Sequence, residues 1–328
     1  MSGHVLAVGE ALVDVVHRPD GTSAEHPGGS LANVALTLGR LGRDVRLATW
    51  LGADARGDAV RSWLGESHVE AAPGSDGAAR TSVAQATLDA SGAATYEFDL
   101  EWRVPAGVAT DAGTLAVHTG SIAAVLEPGA TDVRRLVEAA RATSTITYDP
   151  NARPALMGDA ADARPRIEEL VALADVVKVS DEDLAWLVPG ADPLDAARAW
   201  LRSGPAIVVV TCGGSGATAL TEAGEVTVAA PAVDVVDTVG AGDSFMGALL
   251  DWLWGAGLLG AARRDALRGI DRDATARMLT RAAAVAAVTV SRAGANPPWP
   301  PDLPHPAHAT GPATIPAPAT RPSTEETA

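Results

Sequence analysis

Six short runs constrain the fold more than anything else in this chain: VLAV (Val5–Val8), VRLAT (Val45–Thr49), LAVH (Leu115–His118), TITYD (Thr145–Asp149), VVKV (Val176–Val179) and IVVVT (Ile207–Thr211). They are rich in apolar, β-branched residues and too short to be helices. Helical patterns separate them, over Leu31–Leu41, Ala55–Leu64, Asp132–Ala142, Pro193–Leu201, Ser244–Trp254 and Ala274–Thr289. Strands that alternate with helices are joined by crossovers, which makes them parallel and covers both faces of the sheet. The expected fold class is α/β, a doubly wound and mostly parallel sheet, whose ligands sit at the carboxyl ends of its strands.

Two stretches break this rhythm. Leu12–His17 alternates and runs into RPDGT, a turn. Thr81–Leu88 and Ala94–Leu100 alternate around DASG, a hairpin signature. Together they predict a small sheet outside the main layer, a lid drawn from about residues 12–26 and 81–104. From Asn296 the chain turns rich in Pro, Ala and Thr. Residues 1–304 are therefore expected to form one domain, and 305–328 a disordered tail.

Charge narrows the partners. A formal net charge of −16 repels nucleic acid and anionic membrane. No eighteen-residue apolar run predicts a membrane span, and HVLAVGE reads as a strand rather than a leader. One cysteine, Cys212, gives no disulfide framework, and a cytoplasmic location is expected. The one lysine, Lys178, stands in VVKVS, so a Walker A loop is excluded. Nucleotide phosphates would then be met by backbone amides, a metal and arginine.

The stretch DTVGAGDSFMGALL places Gly240, Ala241 and Gly242 directly before Asp243 at the start of a helical run. The first amides of a helix lack intrahelical partners and, with the dipole, favour an anion. Small residues let that anion approach, and Asp243 can take the proton of a hydroxyl held beside it. Alone, the same residues read more readily as an N-cap after a tight turn.

Other constellations carry the same two readings. GEALVD supplies Glu10 and Asp14, and PGGSLANVALTLGRLG supplies Gly28, Gly29 and Asn33, either a set of groups for sugar hydroxyls or a capped turn. YDPNARP puts Asp149, Asn151 and Arg153 after a strand. KVSDEDLAWL brings Asp183 into a helix start, to hold a metal through water or only to load the first turn. TCGGSGATAL offers Thr211, Gly213 and Gly216 to a nucleotide phosphate or to a hairpin turn.

In this order the motifs resemble the ribokinase-like, or PfkB, carbohydrate kinases, over roughly residues 4–300. GGSLANVALTLGRLG and DTVGAGDSFMGALL look like the two family signatures, and GEALVDVV, HTGS, DPNARP and KVSDEDL look most like bacterial fructokinases. The resemblance implies a Rossmann-like core, a β lid, and phosphorylation of a hydroxymethyl group by ATP with Mg²⁺. It implies Asp243 as base and the Gly240, Ala241 and Gly242 amides as anion hole. Asp14, Gly28, Gly29, Asn33 and Arg153 would bind the sugar, and Thr211, Gly213 and Gly216 would line the ATP site. Asp237 and Val239 match a monovalent-cation (K⁺) site, and a homodimer through the lid is a family habit. Ser180 and Asp183 stand at the ends of the family's Asn-x-x-Glu motif. Competing expectations are a kinase for ribose, 2-keto-3-deoxygluconate or adenosine, and a sugar-binding regulator without catalysis.

Overall fold

The six apolar runs all become strands of one layer. In a computed structural model that describes residues 3–89 and 94–303, the chain order is β1 (His4–Val8), β2 (Leu12–His17), β3 (Ser23–Gly28), β4 (Val45–Ala48), β5 (Val69–Ala71), β6 (Val83–Leu88) and β7 (Ala94–Asp99). There follow β8 (Thr114–Gly120), β9 (Thr145–Asp149), β10 (Val176–Ser180), β11 (Ile207–Thr211), β12 (Ala217–Thr221) and β13 (Gly224–Val228). The main sheet has nine strands in the order β13-β12-β11-β10-β9-β8-β1-β4-β5. It is parallel from β5 to β11, and β12 and β13 add an antiparallel edge. Val5, Ala7 and Val8 of β1 and Val208, Val209 and Val210 of β11 are fully buried, as strands covered on both faces must be.

From β1 the sheet grows through β4 and β5 on one side and through β8 to β11 on the other. The strand order therefore switches between β1 and β8, and a crevice opens at their carboxyl ends. Residues 9–11, Gly120–Ser121 and the segment after Asp149 all leave from that edge. The helix Ser30–Arg40 packs against the helix Ala241–Gly255, which in turn packs against Arg272–Val290. Ser30–Arg40 is buried along nearly its whole length, so its first turn is held rigidly against the start of Ala241–Gly255.

The alternating stretches form a separate four-stranded sheet, β3-β2-β6-β7. β2 pairs antiparallel with β3 and parallel with β6, and β6 pairs antiparallel with β7. On β7, Tyr96 and Phe98 stack and stay exposed. Most of the DASG turn and the whole expected tail, 305–328, lie outside the described residues.

Candidate active site

Asp243 sits in the first turn of Ala241–Gly255 and is only 6% exposed. Three distant side chains converge on its carboxylate. The Ser30 hydroxyl donates to Oδ1 at 2.7 Å, and Asn33 Nδ2 donates to Oδ2 at 2.8 Å. Asn151 Nδ2 donates to Oδ1 at 3.2 Å and to Ser30 Oγ at 2.7 Å. Asn151 reaches there from the end of β9 with a positive φ of 38°, an uncommon backbone state for a residue with a Cβ. Every one of these groups stands just past a carboxyl end of the sheet or on one of the two packed helix starts.

Beside the carboxylate lie amides. The first helical bond of this helix runs from Ser244 N–H to Gly240 O at 2.8 Å. The N–H groups of Gly240, Gly242 and Asp243 have no acceptor among the described residues. Ala241 corrects the sequence expectation: its N–H donates to Thr238 O at 3.2 Å and closes the turn before the helix. The amides open to an acceptor are thus the flanking ones and that of Asp243 itself.

Lys178 adds a full charge to the same place. A Cβ on Gly242 would lie 2.7 Å from its Nζ, so glycine leaves room for an ammonium at the helix start. Lys178 is buried and donates to Asp149 Oδ2 at 2.9 Å. Burial pushes the Asp149 carboxyl up to about 6, with Lys178 opposing and Asp183 and Asp243 adding. Burial alone would lower Lys178, but Asp149, Asp183 and Asp243 hold it above the ordinary lysine range. At neutral pH both partners are therefore ionised. The sequence offered Lys178 only as an argument against a Walker loop.

On β2, the Asp14 carboxylate accepts no hydrogen bond from the described residues and lies against Gly28, where a Cβ would come within 2.3 Å of Oδ2. Burial raises its pKa, with His26 and Arg153 opposing. Gly29 caps the helix Ser30–Arg40 with φ 109°. Its missing side chain makes room for the Glu10 carbonyl, 2.6 Å from where a Cβ would stand. Arg153 is exposed, and its Nη1 donates to Asn151 Oδ1 at 2.8 Å, tying the guanidinium to the same cluster.

Glu10 is buried, with Oε1 accepting the Ser30 N–H at 3.3 Å and Oε2 without a partner. Burial pushes it up to about 7, against weaker opposing hydrogen bonds and Arg153. A carboxyl raised in the folded state binds its proton more tightly there than when unfolded. Its contribution is favourable at low pH and is lost as pH rises toward 7. Glu10→Gln should therefore raise stability at pH 8 by up to about 3 kcal/mol. The gain should vanish near pH 5, where Glu10 is protonated in the folded chain. Thermal unfolding at the two pH values checks this; an equal effect at both would contradict it.

Thr211, Gly213 and Gly216, expected to meet a nucleotide, lie at the end of β11 and in the turn to β12. Thr211 closes β11, and Gly213 opens onto free space. Gly216 has a structural duty: a Cβ there would come within 2.0 Å of Val228 O, and its carbonyl accepts Cys212 N–H at 2.8 Å. Asp183 is likewise spoken for. It forms a capping box with Ser180, and its Oδ1 accepts Ala152 N–H at 3.0 Å. The expected metal role of Asp183 meets a carboxylate engaged on both oxygens, and no cluster of three His, Cys, Asp or Glu among the described residues could hold a metal. The described residues thus offer no protein cage of carboxylate, imidazole or thiolate ligands. Asp237 accepts the amides of Val239 at 3.0 Å and Gly294 at 2.9 Å, so it knits the segment before Ala241–Gly255 to the segment after Arg272–Val290.

A cavity of about 610 Å³ lies at the opposite, amino ends of β1, β4, β5 and β8, lined by His4, Arg46, His68 and Asp111 among others. Arg46 pairs there with Asp111 at 3.2 Å, and none of the groups described above reaches it. Among the described residues no helix is long and apolar enough to cross a membrane.

Comparison with known proteins gives the family and the fold. The model of the pfkB family carbohydrate kinases matches residues 2–302. A fructokinase of Rhizobium leguminosarum bv. trifolii is 35% identical over 75% of this chain and 78% of its own length. A fructokinase of Klebsiella pneumoniae is 33% identical over 79% of this chain and 87% of its own. A crystal structure of fructokinase with bound ATP from Xylella fastidiosa superposes with a TM-score of 0.78 at 26% identity, covering 90% of this chain and 94% of that one. With a carboxylate, unpaired amides and a buried ammonium meeting at one helix start, and a family match running nearly end to end of the described chain, this protein belongs to the pfkB family of carbohydrate kinases.

Proposed function

We propose that the protein transfers the γ-phosphoryl group of ATP to the primary hydroxyl of fructose, giving fructose 6-phosphate. The observation that carries this reading is the Asp243 carboxylate set one residue from amides with no acceptor. The γ-phosphoryl oxygens would take the N–H groups of Gly242 and Asp243, with the Lys178 ammonium behind Gly242. Charge that builds on the phosphoryl group is then met by dipoles already in place. The sugar hydroxyl would replace a present partner of Asp243 and pass its proton to that carboxylate. A carboxylate is a weak base, which suffices because the phosphoryl-transfer transition state is loose and needs positioning more than proton abstraction.

Mg²⁺ would enter on the nucleotide phosphates, keeping several waters, rather than in a protein cage. The sheet β3-β2-β6-β7 carries Asp14 on β2 and would act as the lid that shuts water out, since water competes with the sugar for the phosphoryl group. Fructose is favoured over phosphorylated sugars because the sugar side presents Asp14 and Glu10 with one nearby arginine, Arg153, and no lysine.

An ADP-release assay with fructose, ribose, adenosine and 2-keto-3-deoxygluconate tests the substrate. Fructose should give the highest kcat/KM; preference for another member of the panel would overturn the choice. Asp14→Ala should raise KM for fructose by about 10–100-fold, as expected for losing a hydrogen bond to a charged group. Its kcat should change far less, because Asp14 holds the sugar away from the reacting atoms.

A further inference from the structure

We propose that Ser30 is an internal phosphoryl acceptor: given ATP and no sugar, the enzyme phosphorylates its own active-site serine. The inference rests on the kinase reading above and extends it to a residue of the chain itself. A serine side chain is a hydroxymethyl group, the same functional group that the sugar offers. Ser30 Oγ already makes the contact required of the sugar hydroxyl, donating to Asp243 Oδ1 at 2.7 Å. It also accepts from Asn151 Nδ2 at 2.7 Å, which aims its proton at the carboxylate. A hydroxyl on a base, oriented by a third group, is the arrangement of an activated nucleophile.

The surroundings single this hydroxyl out. Ser244 is the residue after Asp243, but its hydroxyl turns back to Ala241 O at 3.0 Å. Thr37 Oγ1 likewise bonds within its own helix, to Asn33 O at 2.8 Å. Among the described residues, Ser30 has the one hydroxyl hydrogen-bonded to Asp243. Ser30 is itself buried, so bulk water does not dilute it. The amides of Gly242 and Asp243, free to receive the phosphoryl group, belong to the same helical turn as the base.

The step balances without another reactant. Ser30 Oγ forms a bond to the γ-phosphorus, the bond from that phosphorus to the β,γ-bridging oxygen breaks, and ADP leaves with the electron pair. The Ser30 proton passes to Asp243 Oδ1, and nothing is oxidised or reduced. The product places about −1.5 to −2 charge beside Asp243 and fills the acceptor position. Modification therefore inactivates the enzyme, and bound sugar, by taking the base from Ser30, protects it.

The test incubates the full chain with ATP and Mg²⁺, without sugar, and follows intact mass and a peptide map. The expected result is one phosphoryl group per chain, on Ser30, with fructose phosphorylation lost in proportion. Saturating fructose should block the modification, and Ser30→Ala and Asp243→Asn should take up none. The wild-type peptide map decides the question even if a variant fails to fold. A preparation that phosphorylates fructose yet keeps Ser30 unmodified after prolonged incubation with ATP overturns the proposal. Phosphate on Ser30 without fructose turnover would support it and overturn the choice of sugar instead. Neither activity would overturn both, and a label elsewhere, or one that persists in Asp243→Asn, would remove Ser30 or its base from the step.

Discussion

Asp243→Asn should lower kcat by about 10²–10⁴-fold, the range for a lost general base, while the KM for sugar shifts only a few-fold. The substitution keeps the shape. An asparagine oxygen can still accept from Asn33 Nδ2 or from Ser30, and the Ser30 hydroxyl can rotate to accept from the new amide. Folding and the open amides of the helix start should therefore survive, and what disappears is the proton acceptor. The Michaelis complex forms, but the attacking hydroxyl keeps its proton. Steady-state kinetics with a coupled ADP readout measures this. Wild-type turnover in the variant would remove Asp243 from the mechanism. The carboxylate would then only cap the helix, whereas a wild-type protein without any turnover would favour the reading of a sugar-binding regulator.

Lys178→Met should be the most destabilising change in the site, by about 3–5 kcal/mol, because it leaves a buried carboxylate without its partner. Asp149 is 1% exposed, and among the described residues its side chain's remaining hydrogen bond is one from Asn151 N–H at 3.2 Å. The loss should shrink as pH falls. Asp149 is already raised to about 6, and without the ammonium it rises further, so below that value the folded chain holds the proton and the charge disappears. Urea titrations at pH 5 and pH 8 read both the size and the sign. Adding Asp149→Leu should recover much of the loss, since replacing both partners removes the penalty that removing one creates. A single variant as stable as wild type at pH 8 would show that the pair is not a buried charge pair.

Much of this was legible from residues adjacent in the sequence. The six apolar runs became strands because their burial depends on local composition, and the hairpin patterns became the second sheet because alternation survives in any register. Asp243 could be found because glycine, alanine and glycine directly precede it at a helix start. Other features were hidden by distance or by competition. The Ser30 contact spans 213 positions and that of Asn33 spans 210, and nothing local marks either as a partner of Asp243. Lys178 looked like an ordinary strand residue, since its relation to Gly242 exists only once the strand and helix pack. The backbone amides that the Asp183 and Asp237 carboxylates meet, those of Ala152 and Gly294, were not legible, because residue type does not show which amide a carboxylate will reach. The helix Ala160–Leu173 was obscured by Pro165, which its backbone accommodates. The antiparallel turn from β11 to β12 was obscured by glycines that suited a phosphate loop as well.

A crystal of the protein with fructose and a non-hydrolysable ATP analogue would decide whether the start of Ala241–Gly255 is where phosphoryl transfer happens. The account predicts the primary hydroxyl of the sugar about 2.6–3.2 Å from an Asp243 oxygen, with γ-phosphate oxygens on the N–H groups of Gly242 and Asp243. A sugar hydroxyl bonded elsewhere, with the terminal phosphate away from that helix start, would contradict it.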